Sequence, residues 1–151
     1  MDLKFFLKNL PAFEEFNAAH LDVFANRLHI AEQENGHAFI RQGEQGDGLY
    51  LLLEGAVSIV RRDADGVDHE VRELCGGEMF GILSLVDDLP ASATCTAHGK
   101  TKTASLTREA FRELFQTASP IGHHLQFMIA VQMARDLQEA NKRSRAALAK
   151  S

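Results

Sequence analysis

The chain has 151 residues, a length that fits one domain whose own hydrophobic core needs neither a disulfide nor a metal. Its 16 lysine and arginine residues against 21 aspartate and glutamate residues give a net charge of -5, which argues against coating nucleic acid or an anionic membrane. No apolar run approaches the roughly 20 residues of a membrane-spanning helix. Because two cysteines, Cys75 and Cys95, are too few for a disulfide framework, we expect a soluble cytoplasmic protein with reduced thiols and no membrane partner.

The chain is expected to begin with helices and then to change to strands. Apolar residues recur every three to five positions between Phe13 and Leu28, and Pro11 suits a helix start. From Leu28 to Leu106, short apolar segments alternate with glycine or aspartate clusters at the spacing of a β-sandwich or barrel. The seven predicted strands cover residues 28–33, 37–41, 48–54, 56–62, 68–74, 92–98 and 100–106. Asp65 and Gly66 predict a tight hairpin turn, since glycine tolerates positive φ.

Two helices are predicted after the last strand. Thr107 is a suitable N-cap for a helix over 108–116. Ser119 followed by Pro120 opens a second helix that runs to about Ala149. At about 1.5 Å per residue this helix is roughly 45 Å long, which exceeds the width of the domain that it leaves.

One apolar stripe runs along the final helix and needs a partner. The simplest partner is the same helix of a second copy, which predicts a homodimer. The alternative is that the helix packs back on its own sandwich, and the two interpretations are compatible for its first turns. The residues predicted to form the dimer contact are Leu125, Met128, Gln132, Leu137, Ala140 and Ser144.

Three segments share their pattern with one family. The glycine-punctuated run 39–57 resembles the repeat of the cyclic-nucleotide-binding domains, the superfamily of the bacterial catabolite activator protein. Residues 77–85, with 87–94, resemble the phosphate-binding cassette that follows that repeat. The segment 132–138 is similar to the dimerisation helix of the transcription-factor branch of the family.

The resemblance implies the fold and the domain organisation. The expected fold is mainly β with flanking helices: a double-stranded β-helix, or jelly roll, with N-terminal helices and a long C-terminal dimerisation helix. Residues 1–118 would form the β-roll with its N-terminal helices, and residues 119–151 the long helix of the same domain. In the transcription-factor branch a winged helix-turn-helix follows. Because no such element follows residue 151, we expect no direct DNA binding.

For ligand chemistry, the resemblance implies a cassette with two departures. In the family, a glutamate directly after the Phe-Gly pair bonds the ribose 2′-hydroxyl, and an arginine directly before the Ser-Ala pair neutralises the cyclic phosphate. These positions are Ile82 and Ala91 here, and alanine supplies neither the charge nor the fork of an arginine. Adenine-reading members use hydroxyl side chains where this chain has Ala140 and Asn141. The implied ligand-binding residues are Gly81, Ile82, Leu83, Ser84, Ala91, Ser92, Ala93 and, from the partner chain, Asn141.

These departures lead us to expect a stand-alone sensor or regulatory module with a degenerate cassette, no cofactor and no enzymatic activity. Two lost charged contacts of about 2 to 3 kcal/mol each would weaken binding of cyclic AMP roughly a thousandfold. The module would hold a different small ligand or none, and would act through an unknown effector protein. A genuine cyclic AMP or cyclic GMP receptor with atypical contacts stays open as the alternative.

A second alternative, from another class, is a cupin-like metalloenzyme. The seven histidines suggest it, but a cupin iron site needs a His-x-His pattern that the sequence lacks. The adjacent His123 and His124 lie on the final helix, where neighbouring side chains point about 100° apart. We therefore predict no metal ligands.

Overall fold

Short helices precede the first strand. The computed structural model describes residues 2–85 and 88–150. Helix α1 spans Leu3–Lys8, a 3₁₀ turn spans Pro11–Phe13, and α2 spans Ala18–Arg27. The side chains of Asp2 and Asn17 accept hydrogen bonds from the first backbone N–H groups of α1 and α2. The predicted helical start is present, divided into three pieces by these caps and by Pro11.

Strands make up the centre of the fold. Within the described residues, one sheet contains β1 (His29–Gln33), β2 (Ala38–Ile40), β3 (Gly48–Arg62), β4 (Asp68–Leu74), β5 (Met79–Phe80) and β6 (Thr94–Thr107). The main hydrogen-bonding order is β1-β6-β3-β4, and β2 and β5 also pair with β6 and β3 respectively. All of these pairings are antiparallel.

The two longest strands each combine two predicted ones. Gly55 and Gly99 have φ angles of 95° and 79°. The sequence pattern predicts that each of these glycines separates two strands. The ladder between β3 and β6 instead continues past Gly55 through shifts in register. Gly55 therefore lies at a bulge within β3 and does not end the strand, because the segments before and after it both pair with β6.

The buried side chains form two clusters. The helical core joins the helices to one face of the sheet, and its largest fully buried members are Leu7, Phe13, Phe24, Leu49, Leu51, Leu106, Leu114, Ile121 and Leu125. The roll core lies on the other face and consists of Ile40, Leu52, Val57, Leu74, Phe80 and Cys95, with Phe39, Tyr50, Ile59 and Ala91 packed against it. Successive residues of a strand point to opposite faces, so the apolar run at the start of β3 serves both clusters.

Two helices follow β6. Helix α3 spans Arg108–Thr117, and the hydroxyl of Thr107 accepts a hydrogen bond from the Ala110 amide, as the capping pattern predicted. Helix α4 spans Ser119–Lys150. None of the described helices has the length and apolar character that crossing a membrane requires.

The first turns of α4 belong to the core of the same chain. Leu125 is 0% exposed and Met128 is also buried, both in the helical core, so these two predicted dimer residues are already covered within one chain. Further along, Leu137 is 63% exposed and Ser144 is exposed too. The side chains of Gln132 and Ala140 lie outside the described part of the structure. The stripe along α4 therefore serves two surfaces, one inside the chain and one facing outward.

Candidate functional site

The cassette, residues 77–94, connects β5 to β6. Its central part is a 3₁₀ helix, Ile82–Leu85, and Val86 and Asp87 lie outside the described residues. Gly81 has a φ of 75°, and a Cβ at this position would lie 2.7 Å from the carbonyl oxygen of Gly48. Only glycine tolerates both conditions, so Gly81 allows the cassette backbone to lie directly against β3.

The predicted ligand residues Ile82, Leu83 and Ser84 face the protein interior. Ile82 is buried in the helical core, and Leu83 packs against the same core. The hydroxyl of Ser84 donates towards the carbonyl oxygens of Gly48 at 2.8 Å and Gly81 at 2.6 Å. These three side chains therefore attach the cassette to the rest of the fold.

The second half of the cassette is fixed by its backbone. The Ala91 amide donates to the carbonyl of Glu44 at 2.8 Å, and the Gly43 amide donates to the carbonyl of Ala91 at 2.9 Å. The Ala91 methyl group packs against the roll core. In this way the loop before β3 holds Ala91 in place, although its side chain provides no charge.

The next two residues present free donors. Ser92 is exposed and Ala93 is half-buried. Among the described residues, neither the Ser92 nor the Ala93 amide N–H donates a hydrogen bond. Backbone N–H groups that have no partner within the chain are possible donors for an anion.

Three arginines lie on the strands beside the cassette. The Arg62 Nε donates a 2.9 Å hydrogen bond to the Asp68 carboxylate, and this contact holds the pKa of Asp68 below its usual value. Arg72 forms an ion pair with Glu78. The Arg61 Nε donates a 3.2 Å hydrogen bond to the carbonyl oxygen of Ser92. Arg61 was not predicted from the sequence, since it lies 31 residues before Ser92 and outside the family's cassette motif.

Asn141, the remaining predicted ligand residue, is exposed on α4. A contact between Asn141 and a ligand in a partner's cassette requires the homodimer and stays a prediction. Among the residues that the structure describes, no three histidine, cysteine, aspartate or glutamate side chains are grouped so as to hold a metal ion.

The two thiols are expected to differ in reactivity. Burial in the roll core raises the pKa of Cys95 to about 11. Cys75 is exposed, but the hydrogen bond from its Sγ to Glu78 raises its pKa as well. At pH 8 we expect iodoacetamide to modify Cys75 more slowly than a small free thiol and to leave Cys95 unmodified until the chain is denatured, as measured by peptide mass spectrometry.

A matched variant tests the cause of the slow labelling. Glu78→Gln removes the carboxylate, so the Cys75 thiolate becomes easier to form and labelling should become faster. Labelling of Cys95 in the native chain at the rate of Cys75 would contradict its placement in the roll core.

Comparison with known proteins identifies the family. The family model for the cyclic nucleotide-binding domain matches residues 32–118, which is more than half of the chain. A cAMP-dependent protein kinase regulatory subunit from Mucor circinelloides f. lusitanicus is 35% identical over 108 residues, which cover 72% of this chain and 24% of that protein. The chain belongs to the cyclic nucleotide-binding domain family.

Solved structures agree with this assignment. The catabolite activator protein of Thermus thermophilus has a TM-score of 0.77 at 26% identity, over 89% of this chain and 63% of that one. The regulatory subunit of a cAMP-independent protein kinase A from Trypanosoma brucei has a TM-score of 0.68 at 30% identity, over 85% of this chain and 50% of that one. These matches confirm the predicted jelly-roll class.

The relatives also confirm the general kind of function. The proteins named above are kinase regulatory subunits and a catabolite activator protein, and the family model that the chain matches is that of a binding domain and not of a catalytic one, so the chain is a regulatory binding domain, as predicted. The chain spans about a quarter of the length of the curated relatives that it matches first. What those whole proteins bind or assemble with therefore remains a property of the relatives.

Proposed function

We propose that this domain binds a cyclic nucleotide at the cassette through atypical contacts. This proposal adopts the alternative in preference to the main expectation from the sequence. The observation that carries it lies at the end of the cassette, where the amide N–H groups of Ser92 and Ala93 donate no hydrogen bond within the described residues and the Arg61 guanidinium from β3 contacts the Ser92 carbonyl oxygen. The relatedness to cAMP-dependent kinase regulatory subunits supports the same ligand class.

The contacts to the ribose are expected to differ from those implied by the family. Ile82 occupies the position of the glutamate that would bond the 2′-hydroxyl, and its side chain is buried in the helical core. No carboxylate is therefore supplied from this position, and the 2′-hydroxyl is not expected to add to affinity. The cyclic phosphate becomes the group that the domain recognises most strongly.

Isothermal titration calorimetry tests this function. We expect cyclic AMP or cyclic GMP to bind with a dissociation constant of roughly 10 μM, weaker than in a receptor that keeps both charged contacts. We expect 2′-deoxy cyclic AMP to bind within about threefold of cyclic AMP, because one hydrogen bond to a charged group is worth tenfold or more and none is supplied at Ile82. Absence of binding of both nucleotides at millimolar concentration would contradict the proposed function. Strong preference for the 2′-hydroxyl would contradict the assigned role of Ile82.

A second candidate is a regulatory domain that ignores cyclic nucleotides and responds to another ligand. Ile82 and Ala91 favour it, because neither residue carries the charge implied by the family. The Trypanosoma brucei relative is itself described as cAMP-independent. A variant of that relative with three substitutions, one of which introduces an arginine, holds cAMP in its A site. The calorimetry described above separates the two candidates.

We also propose that the domain signals as a homodimer through α4 to an effector protein. Met133, Leu137 and Leu148 are exposed, and with Ser144 they fall within about 60° of the helix circumference at 3.6 residues per turn. Exposed apolar side chains along one side of a helix favour packing against a second copy of the same helix. Both cysteines are free, which supports a reducing, cytoplasmic compartment for this module.

A further inference from the structure

We infer that Arg61 is the phosphate-binding cation of this domain, in the role that Ala91 leaves vacant. The inference rests on the proposed function, since it names the residue that would neutralise the cyclic phosphate. Three features of the structure support it: the face of β3 on which Arg61 lies, its hydrogen bond to the cassette, and its lack of a carboxylate partner in the described chain.

The register of β3 brings Arg61 to the cassette. Val57 is fully buried in the roll core and Ile59 packs against the same core. Because side chains alternate along a strand, Arg61 lies on the face shared by these two residues. Val60 pairs with Thr94 at the start of β6, so the next position of β3 lies beside the last residues of the cassette.

The hydrogen bond to Ser92 orients the guanidinium. The Arg61 Nε donates to the Ser92 carbonyl oxygen at 3.2 Å and uses one of five N–H donors. The four N–H groups of its terminal nitrogens donate no hydrogen bond within residues 2–85 and 88–150 and remain for a ligand. A planar guanidinium matches phosphate oxygens in pairs, and the Ser92 and Ala93 amides, which donate no hydrogen bond within the described residues, add neutral donors next to the carbonyl that Arg61 contacts.

The neighbouring arginines are already neutralised. Arg62 pairs with Asp68, and Arg72 pairs with Glu78. Arg61 forms no ion pair with a carboxylate of residues 2–85 or 88–150. Its positive charge is therefore available to an external anion, whereas the charges of the other two are balanced within the chain.

Calorimetry with cyclic AMP on the full chain tests the role of Arg61. We expect Arg61→Gln to weaken binding about 10- to 100-fold, the range for one charged contact. The affinity of Arg61→Lys should lie between those of the wild type and Arg61→Gln, because lysine keeps the positive charge and lacks the planar guanidinium. The matched control is Arg62→Gln, which changes the adjacent arginine on the opposite face and should alter the affinity by less than about twofold.

The outcomes separate this inference from the proposed function. If the wild-type chain binds cyclic AMP and Arg61→Gln binds equally well, the inference is wrong and the proposed function stands. If the wild-type chain binds neither cyclic AMP nor cyclic GMP, both are wrong. Thermal unfolding followed by circular dichroism shows whether Arg61→Gln keeps the fold, which we expect because the side chain is exposed.

Discussion

Leu125→Asp is expected to destabilise the fold strongly, whereas the same substitution at Leu137 is expected to leave its stability almost unchanged. Leu125 is 0% exposed in the helical core, so an aspartate there loses leucine packing and buries an unpaired carboxylate. The cost is about 4 kcal/mol or more, a large part of the roughly 5 to 15 kcal/mol that stabilises an ordinary domain. Leu137 is largely exposed, and its substitution should change the free energy of unfolding of the monomer by less than about 0.5 kcal/mol.

The measurement is urea unfolding followed by far-ultraviolet circular dichroism, with light scattering for the mass. If the projecting part of α4 forms the dimer, Leu137→Asp should give a folded monomer under conditions where the wild type is a dimer. An unchanged dimer mass in Leu137→Asp would exclude the proposed dimer contact. A wild-type unfolding midpoint for Leu125→Asp would contradict the burial of this residue.

Ala91→Arg is expected to strengthen binding of cyclic AMP about 10- to 100-fold, the range for one added charged contact. The Ala91 backbone is held on both sides by hydrogen bonds to Glu44 and Gly43, so we expect the cassette backbone to stay in place while the arginine side chain extends past the roll core, against which the Ala91 methyl group packs. The new guanidinium would start directly before Ser92, where the family places its arginine. Calorimetry gives the dissociation constant, and Ala91→Met provides a control that adds length without charge and should bring no gain.

The same substitution tests whether Arg61 and residue 91 share a role. If both cations act on the same phosphate, Arg61→Gln should cost less in the Ala91→Arg background than in the wild type, and a double-mutant cycle measures the difference. Equal costs in both backgrounds would show that the two positions act independently. No gain of affinity in Ala91→Arg would contradict the position assigned to the phosphate.

Elements with local signals could be predicted from the sequence. Thr107 caps α3 and Gly66 turns a hairpin at a φ of 81°, and in both cases the signal lies within a few residues of the structure that it determines. The sequence pattern does not predict the full length of β3, because a glycine such as Gly55 commonly separates two strands. Whether a strand ends at a glycine or continues through it is decided by pairing with β6, which is a contact distant in sequence.

The features of the site that could not be predicted from the sequence also depend on contacts between residues distant in sequence. The family pattern locates Ile82 in the cassette, but the direction of its side chain into the helical core depends on how the helices pack. The contact of Arg61 with Ser92 depends on the register between β3 and β6. For Leu125, helical periodicity indicates an apolar face and cannot tell burial within a chain from burial between two chains.

Binding of a cyclic nucleotide at residues 81–94 is tested most directly by nuclear magnetic resonance on the ¹⁵N-labelled chain, titrated with cyclic AMP and then cyclic GMP. We predict that one or both ligands shift the amide signals of Ser92 and Ala93 together with the Nε–H signal of Arg61, since these groups would meet the phosphate. If these signals stay in place at ligand concentrations of about 1 mM and above, which corresponds to a binding free energy weaker than about -4 kcal/mol, the cassette is not a cyclic-nucleotide site.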